Sequence, residues 1–506
     1  MVLAKSIGGK PCSWKDKSMS SVEMKICDLQ PKNVFSYFEE ISAIPHGSGN
    51  TKKISNFCVN FAKTHGLRYR QDSFNNVIIW KEGSNGYENC PAVILQGHID
   101  MVCTKADTCT KEMSCEGLDL ETDGKYVWAK GTSLGADNGI AVAMILSILS
   151  DDSLPHPPIE AVFTVDEETG MQGASLLDCS DLKGKKYINL DTEVEGLFVV
   201  SSAGGICMDS FVPCKQEVVS EGQGYIVTVK GLLGGHSGAD INKGRASANC
   251  LMARALYGAI ELIPAFRVSD IRGGEFDNVI CPRSDALVYF DKKYITTFEN
   301  YIAEFNTALK DEYYASDAAV ELSCEKRDVF AAMSVENTKK LLHVLLAIPQ
   351  GVQEMSMAFP NLIQTSINWG KVSTNESGVE FSVSIRSCIS SQKNMMHQKI
   401  SSAVKYVGGT VKERNEYPGW QYKAESPYRD MVLAMYKELS GNEPDIRAIH
   451  CGIECGMFAD KISNLDAISM GPNILGIHSI NERLDVESTA RFYTFLCEVL
   501  QRSKSN

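Results

Sequence analysis

The sequence predicts an α/β protein: a domain with a parallel or mixed sheet, interrupted by an inserted α+β domain. Three observations lead there. Short β-branched runs alternate with apolar stretches of helical period, the pattern of strand–helix units. Three of those runs, "AVILQGHIDM" (92–101), "AVFTVDEE" (161–168) and "KYINLDTE" (186–193), read as buried strands that end in acids or histidine. Beyond Gly205 the acids no longer cluster at strand ends, and buried strands of the first texture return only near the C-terminus.

A chain of 506 residues exceeds one ordinary core, so two or more domains are expected. In the first part, "NGIAVAMILSILS" (138–150) is apolar at helical spacing and links the first two strands. Ligands of open α/β sheets bind beyond the carboxyl ends of the strands. His98, Asp100, Glu167, Glu168 and Asp191 are therefore expected at one sheet edge. The middle section holds a strand in "GYIVTVKGLLGG", a helix in "RASANCLMARALYGAIELI", and further strands and helices to "SAVKYVGGTVKE". Its element order points to two similar halves, without a matching internal sequence repeat. "DIRAIH", "DAISMGP" and a final helix then complete the first domain. The expected boundaries are 1–205 for the first part of this domain, 206–416 for the insertion and 417–506 for the second part.

Composition narrows the function classes. With 44% hydrophobic and 22% charged residues the chain is globular, and a net charge of -13 argues against non-specific nucleic-acid binding. The 17 cysteines follow no framework spacing, which fits reduced thiols. The N-terminus is too polar for a signal peptide, and no apolar run approaches the roughly 20 residues needed to cross a bilayer. A cytoplasmic protein without membrane or nucleic-acid partners is expected. No GxGxxG or GKS/T pattern occurs, which removes phosphate-cradling loops, and a serine-hydrolase elbow is not expected.

What remains is a set of metal-ligand types at strand ends: His98 in "GHID", Asp137 in "SLGADNG", Glu167 and Glu168 in "VDEETG", Asp191 in "NLDTE" and His478 in "GIHS". Each gap between successive members up to Asp191 suits one strand–helix unit. A pair of metal ions needs a carboxylate able to bridge them. Asp100, two residues past His98, can hold its imidazole by the second nitrogen. Asp137 lies between Gly135 and Gly139, where a sharp turn can present both oxygens and the Asp137–Asn138 bond is open to an unusual geometry. In an extended strand successive side chains point opposite ways, so Glu167 and Glu168 are expected to divide two tasks. Asp166 has no assigned role. Isolated histidines such as His65 and His156 fit packing or surface positions, and "LMARALYGAIELI" fits core.

Taken in order, "EISAIPHGSGN", "LQGHIDMV", "GTSLGADNGIAVAM", "FTVDEETGMQGA", "NLDTE", "GGHSGADINKGRASAN", "SIRSCISS", "CGIECGMF" and "SMGPNILGIHS" resemble the blocks of the aminoacyl-histidine (Xaa-His) dipeptidases, or peptidase D. These belong to the di-zinc carnosinase/aminoacylase superfamily, and the resemblance runs from about residue 36 to 485. It implies a di-zinc aminopeptidase-like catalytic domain with a mixed sheet, interrupted by a lid domain. It implies two divalent metal ions, zinc first and manganese or cobalt next. His98, Asp137 and Asp191 would hold one ion, and Asp137, Glu168 and His478 the other, with Asp137 bridging. Glu167 would be the general base acting on a zinc-bound water, Asp100 the partner of His98, and His236 of "GGHSG" the oxyanion-stabilising group. Asn278, Arg386 and Gly452 would contact substrate. Cys451 stands where a small alanine is expected, and "HGSGN" departs from the usual proline-containing form. The implied activity is hydrolysis of dipeptides, Xaa-His or broader, by a monomer or homodimer. A tripeptide aminopeptidase or N-acyl amino acid deacylase would share the metal set, and a catalytically silent zinc-binding protein is the rival from another class.

Overall fold

The computed structural model describes residues 25–504. Its first sheet has eight strands. In spatial order they are Arg68–Gln71, Val77–Lys81, Ile159–Thr164, Val93–His98, Lys186–Asn189, Asp466–Ser469, Leu197–Ser202 and Asp445–Ile449. The central strand Val93–His98 runs parallel to both neighbours, Ile159–Thr164 and Lys186–Asn189. All six residues of Val93–His98 and of Ile159–Thr164 are buried, as expected of strands covered on both faces. The outer strands Arg68–Gln71 and Val77–Lys81 are antiparallel, which makes the sheet mixed. Helix Ala136–Ser150 is apolar all round and buried at every position but its last. A helix of that kind needs cover on all sides. It packs on Val93–His98 with helix Lys32–Ser42 above it. Gly97 permits this approach, since a Cβ there would sit 2.4 Å from Asn138 Oδ1 and 3.2 Å from Ala141 Cβ.

The chain leaves this sheet at Ser202 and enters a second one at Gly204. The second sheet has nine strands and is antiparallel throughout. Alternating burial, as along Ser284–Phe290, marks one covered face. The two expected halves are present but nested. One reads strand Gln223–Lys230, helix Ala248–Leu262, strands Arg267–Gly273 and Ser284–Phe290, helix Ile295–Glu312, strand Glu321–Lys326. The other takes Gly204–Pro213 as its first strand, then helix Val335–Ala347, strands Ile363–Thr374 and Gly378–Ser387, helix Ser390–Tyr406 and strand Thr410–Tyr417. Each half has the order fourth, first, third, second strand, and the halves meet where Arg267–Gly273 pairs with Ile363–Thr374. One half is therefore inserted after the first strand of the other.

Two strand readings need correction. "AVFTVDEE" is extended only to Thr164, and "KYINLDTE" only to Asn189. Glu167 and Glu168 lie in a turn closed by the N–H groups of Gly170 and Met171 donating to Glu167 O at 2.9 and 2.8 Å. Strand alternation thus does not separate the two glutamates. Among the described residues no helix is long and apolar enough to cross a membrane, and the cysteines are free thiols.

Candidate active site

Parallel register places His98 beside Thr164 and Gln96 beside Asn189, so the first two strands end together and Lys186–Asn189 ends two residues short of them. His98 closes its strand. Glu167 and Glu168 follow Thr164 in the turn, and Asp191 lies two residues past Asn189. Asp137 arrives from the start of the buried helix, next to a cis Asp137–Asn138 bond. His478 arrives from the C-terminal segment in a left-handed conformation, φ 61°.

These side chains converge. His98 Nε2 lies 3.2 Å from Asp137 Oδ1 and 3.4 Å from Asp191 Oδ1. His478 Nε2 lies 3.2 Å from Asp137 Oδ2 and 2.9 Å from Glu168 Oε1. Asp137 thus turns one oxygen to each imidazole. In each of three groups the ligand atoms lie within 4.8 Å of one another: His98, Asp137 and Asp191; Asp137, Glu168 and His478; and His98, Glu167 and Glu168.

The electrostatics follow from crowding acids in a dry site. Burial, with Asp191 and Glu168 adding to it, pushes the Glu167 carboxyl up to about 8. Burial likewise pushes Asp191 up to about 8, against the pull of His98. Burial raises Asp137 too, but the hydrogen bonds from His478 and His98 win and hold it below the ordinary carboxylate range. Hydrogen bonds to Asp137 and Glu168 push His478 up to about 10. Burial opposes the charged form of His98, yet Asp191, Asp100 and Asp137 together hold it well above its ordinary value.

Asp100 faces His98 through its backbone carbonyl, 3.0 Å from Nδ1, with its Oδ1 farther away at 3.4 Å. Its carboxylate also accepts the N–H groups of Glu167 and Glu168 at 3.1 and 3.4 Å and the Ser48 hydroxyl at 2.8 Å. Asp166, unexplained by sequence, sits at φ 53° and accepts the Gly49 N–H at 2.6 Å. The "HGSGN" loop thereby holds both Asp100 and the glutamate turn. Asn138 Nδ2 donates to Asp191 Oδ1 at 2.7 Å, a role that sequence reasoning missed although Asn138 adjoins Asp137.

A cavity of about 890 Å³ lies between the two sheets' domains. Glu167, Glu168, Gly452 and His478 line it from one side, and His236, Asn278 and Arg386 from the other. His236 Nδ1 accepts the N–H groups of Gly238 and Ala239, both at 3.2 Å, which leaves Nε2 carrying the proton. Burial and the nearby Arg386 hold this imidazole below its ordinary pKa, so it is a neutral donor. Asn278 is tied to the same loop, its carbonyl accepting the Ser237 N–H at 2.9 Å. Arg386 Nη1 donates to Tyr417 Oη at 3.0 Å, while its buried Nε has no protein partner. A Cβ on Gly452 would meet the Tyr417 ring at 2.6 Å and Met171 Cε at 2.9 Å, so this edge must stay bare. No motif had pointed to Tyr417.

An α/β domain that gathers carboxylates and imidazoles at parallel strand ends, faced by a second domain with an arginine and a neutral histidine, is the build of a two-domain metallopeptidase. Residues 94–502 match peptidase family M20/M25/M40, and the chain belongs to that family. It is 33% identical over 479 residues to the cytosol non-specific dipeptidase of Escherichia coli (strain K12), covering 94% of this chain and 99% of that one. The crystal structure of aminoacylhistidine dipeptidase from Vibrio alginolyticus matches with a TM-score of 0.91 and 32% identity, over 96% and 99% of the two chains. The aminopeptidase PepT of Bacillus cereus ATCC 10987 shares the fold at 15% identity and a TM-score of 0.54, over 94% and 99%.

Proposed function

We propose that the chain is a metal-dependent dipeptidase that cleaves Xaa-His dipeptides or a broader dipeptide set. The observation that carries this is the Asp137 carboxylate facing His98 and His478 through separate oxygens, beside a cavity that Arg386 also lines. The donor set of carboxylates and imidazoles suits divalent cations, zinc first and manganese or cobalt next. His98, Asp137 and Asp191 would hold one ion, and Asp137, Glu168 and His478 the other. When bound, such ions supply Lewis acidity and lower the pKa of water toward about 7.

The protein's own groups do the rest. Glu167, held by its N–H to Asp100, takes a proton from the attacking water and returns it to the leaving amine. His236 donates from Nε2 to the oxygen of the scissile carbonyl as charge develops there. Arg386, which lines the cavity, offers its guanidinium to the dipeptide carboxylate, with Asn278 lining the same cavity and the bare edge of Gly452 leaving room for the backbone. A cavity of about 890 Å³ is within the range of small-molecule sites. The segment 206–416 acts as a lid on the catalytic domain, to which the described residues before 206 and after 416 belong. The cytosolic name of the Escherichia coli relative supports a cytoplasmic location. A monomer or a homodimer accommodates this reading.

The test is a panel of dipeptides, tripeptides and N-acyl amino acids, with chelator-stripped protein given back zinc, manganese or cobalt singly. Cleavage of dipeptides that disappears on stripping and returns with metal is expected. Cleavage of N-acyl amino acids alone would overturn the substrate class.

A further inference from the structure

Glu482 belongs to no group named so far, yet it is buried, 2% exposed, and aimed at the backbone of the Asp137 loop. Its Oε2 accepts the N–H groups of Leu134 and Gly135 at 2.8 and 3.1 Å. Its Oε1 accepts those of Ala136 and Asp137 at 2.9 and 3.4 Å. One carboxylate thus collects four consecutive amides, including that of Asp137 itself. Three of them, Gly135 to Asp137, are among the N–H groups that a helix start leaves without intrahelical partners. No local side chain caps this helix: its N-cap is Gly135, and Asp137 and Asn138 depart from helical geometry inside it.

The origin of Glu482 matters as much as its contacts. It lies four residues past His478, in a turn closed by its own N–H donating to Ser479 O at 3.1 Å. The carbonyl of His478 accepts the Thr104 hydroxyl at 3.1 Å. One short C-terminal turn therefore delivers an imidazole to Asp137 Oδ2 and a carboxylate to the Asp137 backbone. From Asp137 the chain runs directly into Asn138, whose amide holds Asp191. Displacing the 134–137 amides would move two members of the ligand set and their relation to a third.

We propose that Glu482 is a positioning residue for the metal centre: it fixes the backbone of the bridging Asp137 and couples it to the His478 turn. The inference rests on the reading of Asp137 as a bridging ligand. Groups that orient metal ligands typically affect metal affinity or activity about 10- to 100-fold.

The experiment compares wild type, Glu482→Gln and Glu160→Gln in metal affinity, by competition with a chromophoric chelator. It adds the visible absorption of the cobalt-loaded proteins and separate kcat and KM values. Glu160 is the control because it is another buried carboxylate that accepts backbone amides, those of Lys183 and Gly184, both at 2.9 Å. It stands at the opposite end of its strand from the site. Glu482→Gln replaces one accepting oxygen by a donor. It is expected to lose about 10- to 100-fold in metal affinity, to change the cobalt spectrum, and to lower kcat with KM nearly unchanged. Glu160→Gln is expected to lower thermal stability alone. A folded Glu482→Gln with wild-type affinity and spectrum overturns the proposal, and so does Glu160→Gln showing the same losses. Should Glu482→Gln not fold, Glu482→Asp keeps the charge at a shorter reach. Intermediate affinity then supports the proposal, and wild-type affinity overturns it. If wild type binds no divalent ion, the dipeptidase reading itself fails. If wild type binds two and Glu482→Gln matches it, only this inference fails.

Discussion

The Asp100 carboxylate accepts the backbone N–H of Glu167 at 3.1 Å while its other oxygen accepts that of Glu168 at 3.4 Å. The acid that faces His98 therefore also fixes the turn bearing both glutamates. Asp100→Asn would turn an amide donor toward one of these N–H groups or toward the Ser48 hydroxyl. A fall of about 10- to 100-fold in kcat/KM is expected, accompanied by weaker metal retention on dialysis. Steady-state kinetics beside metal analysis of the dialysed protein checks both halves of this expectation.

Glu167 is assigned to proton transfer and Glu168 to metal binding, so their substitutions should separate. Glu167→Gln keeps the size and the backbone hydrogen bond but cannot accept a proton. Its kcat should fall by about 10²- to 10⁴-fold with metal content unchanged. Glu168→Gln should lose metal as well as rate. Metal analysis of both variants decides it; a Glu167→Gln enzyme working at near-native rate would remove the base assignment.

The sheet edge was legible in the sequence because strands buried on both faces are apolar runs, and acids at their ends stand out. His98, Asp137, Glu168, Asp191 and His478 do meet, across segments as distant as the two ends of the chain. What was misread is local. The run 161–168 looks extended to its end, but Asp166 adopts a left-handed conformation to accept the Gly49 N–H, and the chain turns there. No periodicity reports a single residue at positive φ whose partner lies 117 positions away. Tyr417 and Glu482 were invisible for a similar reason. Each acts through a contact with a distant segment, and neither lies in a run of unusual composition. The two halves of the second domain were readable from element order. Their nesting was not, because the first strand of one half, Gly204–Pro213, precedes the whole of the other.

Arg386 should be read out by substrates that differ only at the carboxyl terminus. Its Nη1 is engaged by Tyr417 at 3.0 Å, and the side chain lines the cavity. Hydrogen bonds to charged groups contribute about 1.5–3 kcal/mol each. Arg386→Ala should therefore lower kcat/KM for a free dipeptide by roughly 10- to 150-fold, and Tyr417→Phe by less. A dipeptide amide, which lacks the carboxylate, should be cleaved poorly by wild type and be nearly indifferent to Arg386→Ala. Equal losses on both substrates would mean that Arg386 does not recognise the carboxylate.

His450 provides a pH dependence away from the proposed ligands. Its Nε2 pairs with the Ser366 hydroxyl at 2.6 Å, and burial beside Arg386 pushes its pKa down to about 4. In the unfolded chain the imidazole titrates near 6.5. Between these values the unfolded state binds a proton that the folded state refuses, so stability falls as pH drops through this window. Above about 6.5 and below about 4 the residue adds no slope. One pKa unit corresponds to about 1.4 kcal/mol, so lowering the pH from 7 to 5 should cost at most about 2 kcal/mol through this residue. His450→Gln can pair with Ser366 but cannot take up a proton. Urea unfolding of both proteins at pH 7 and pH 5 should show wild type losing more stability than the variant over that interval. Equal losses would mean that His450 titrates alike in the folded and unfolded chains, and that the charge of Arg386 is not felt at its ring.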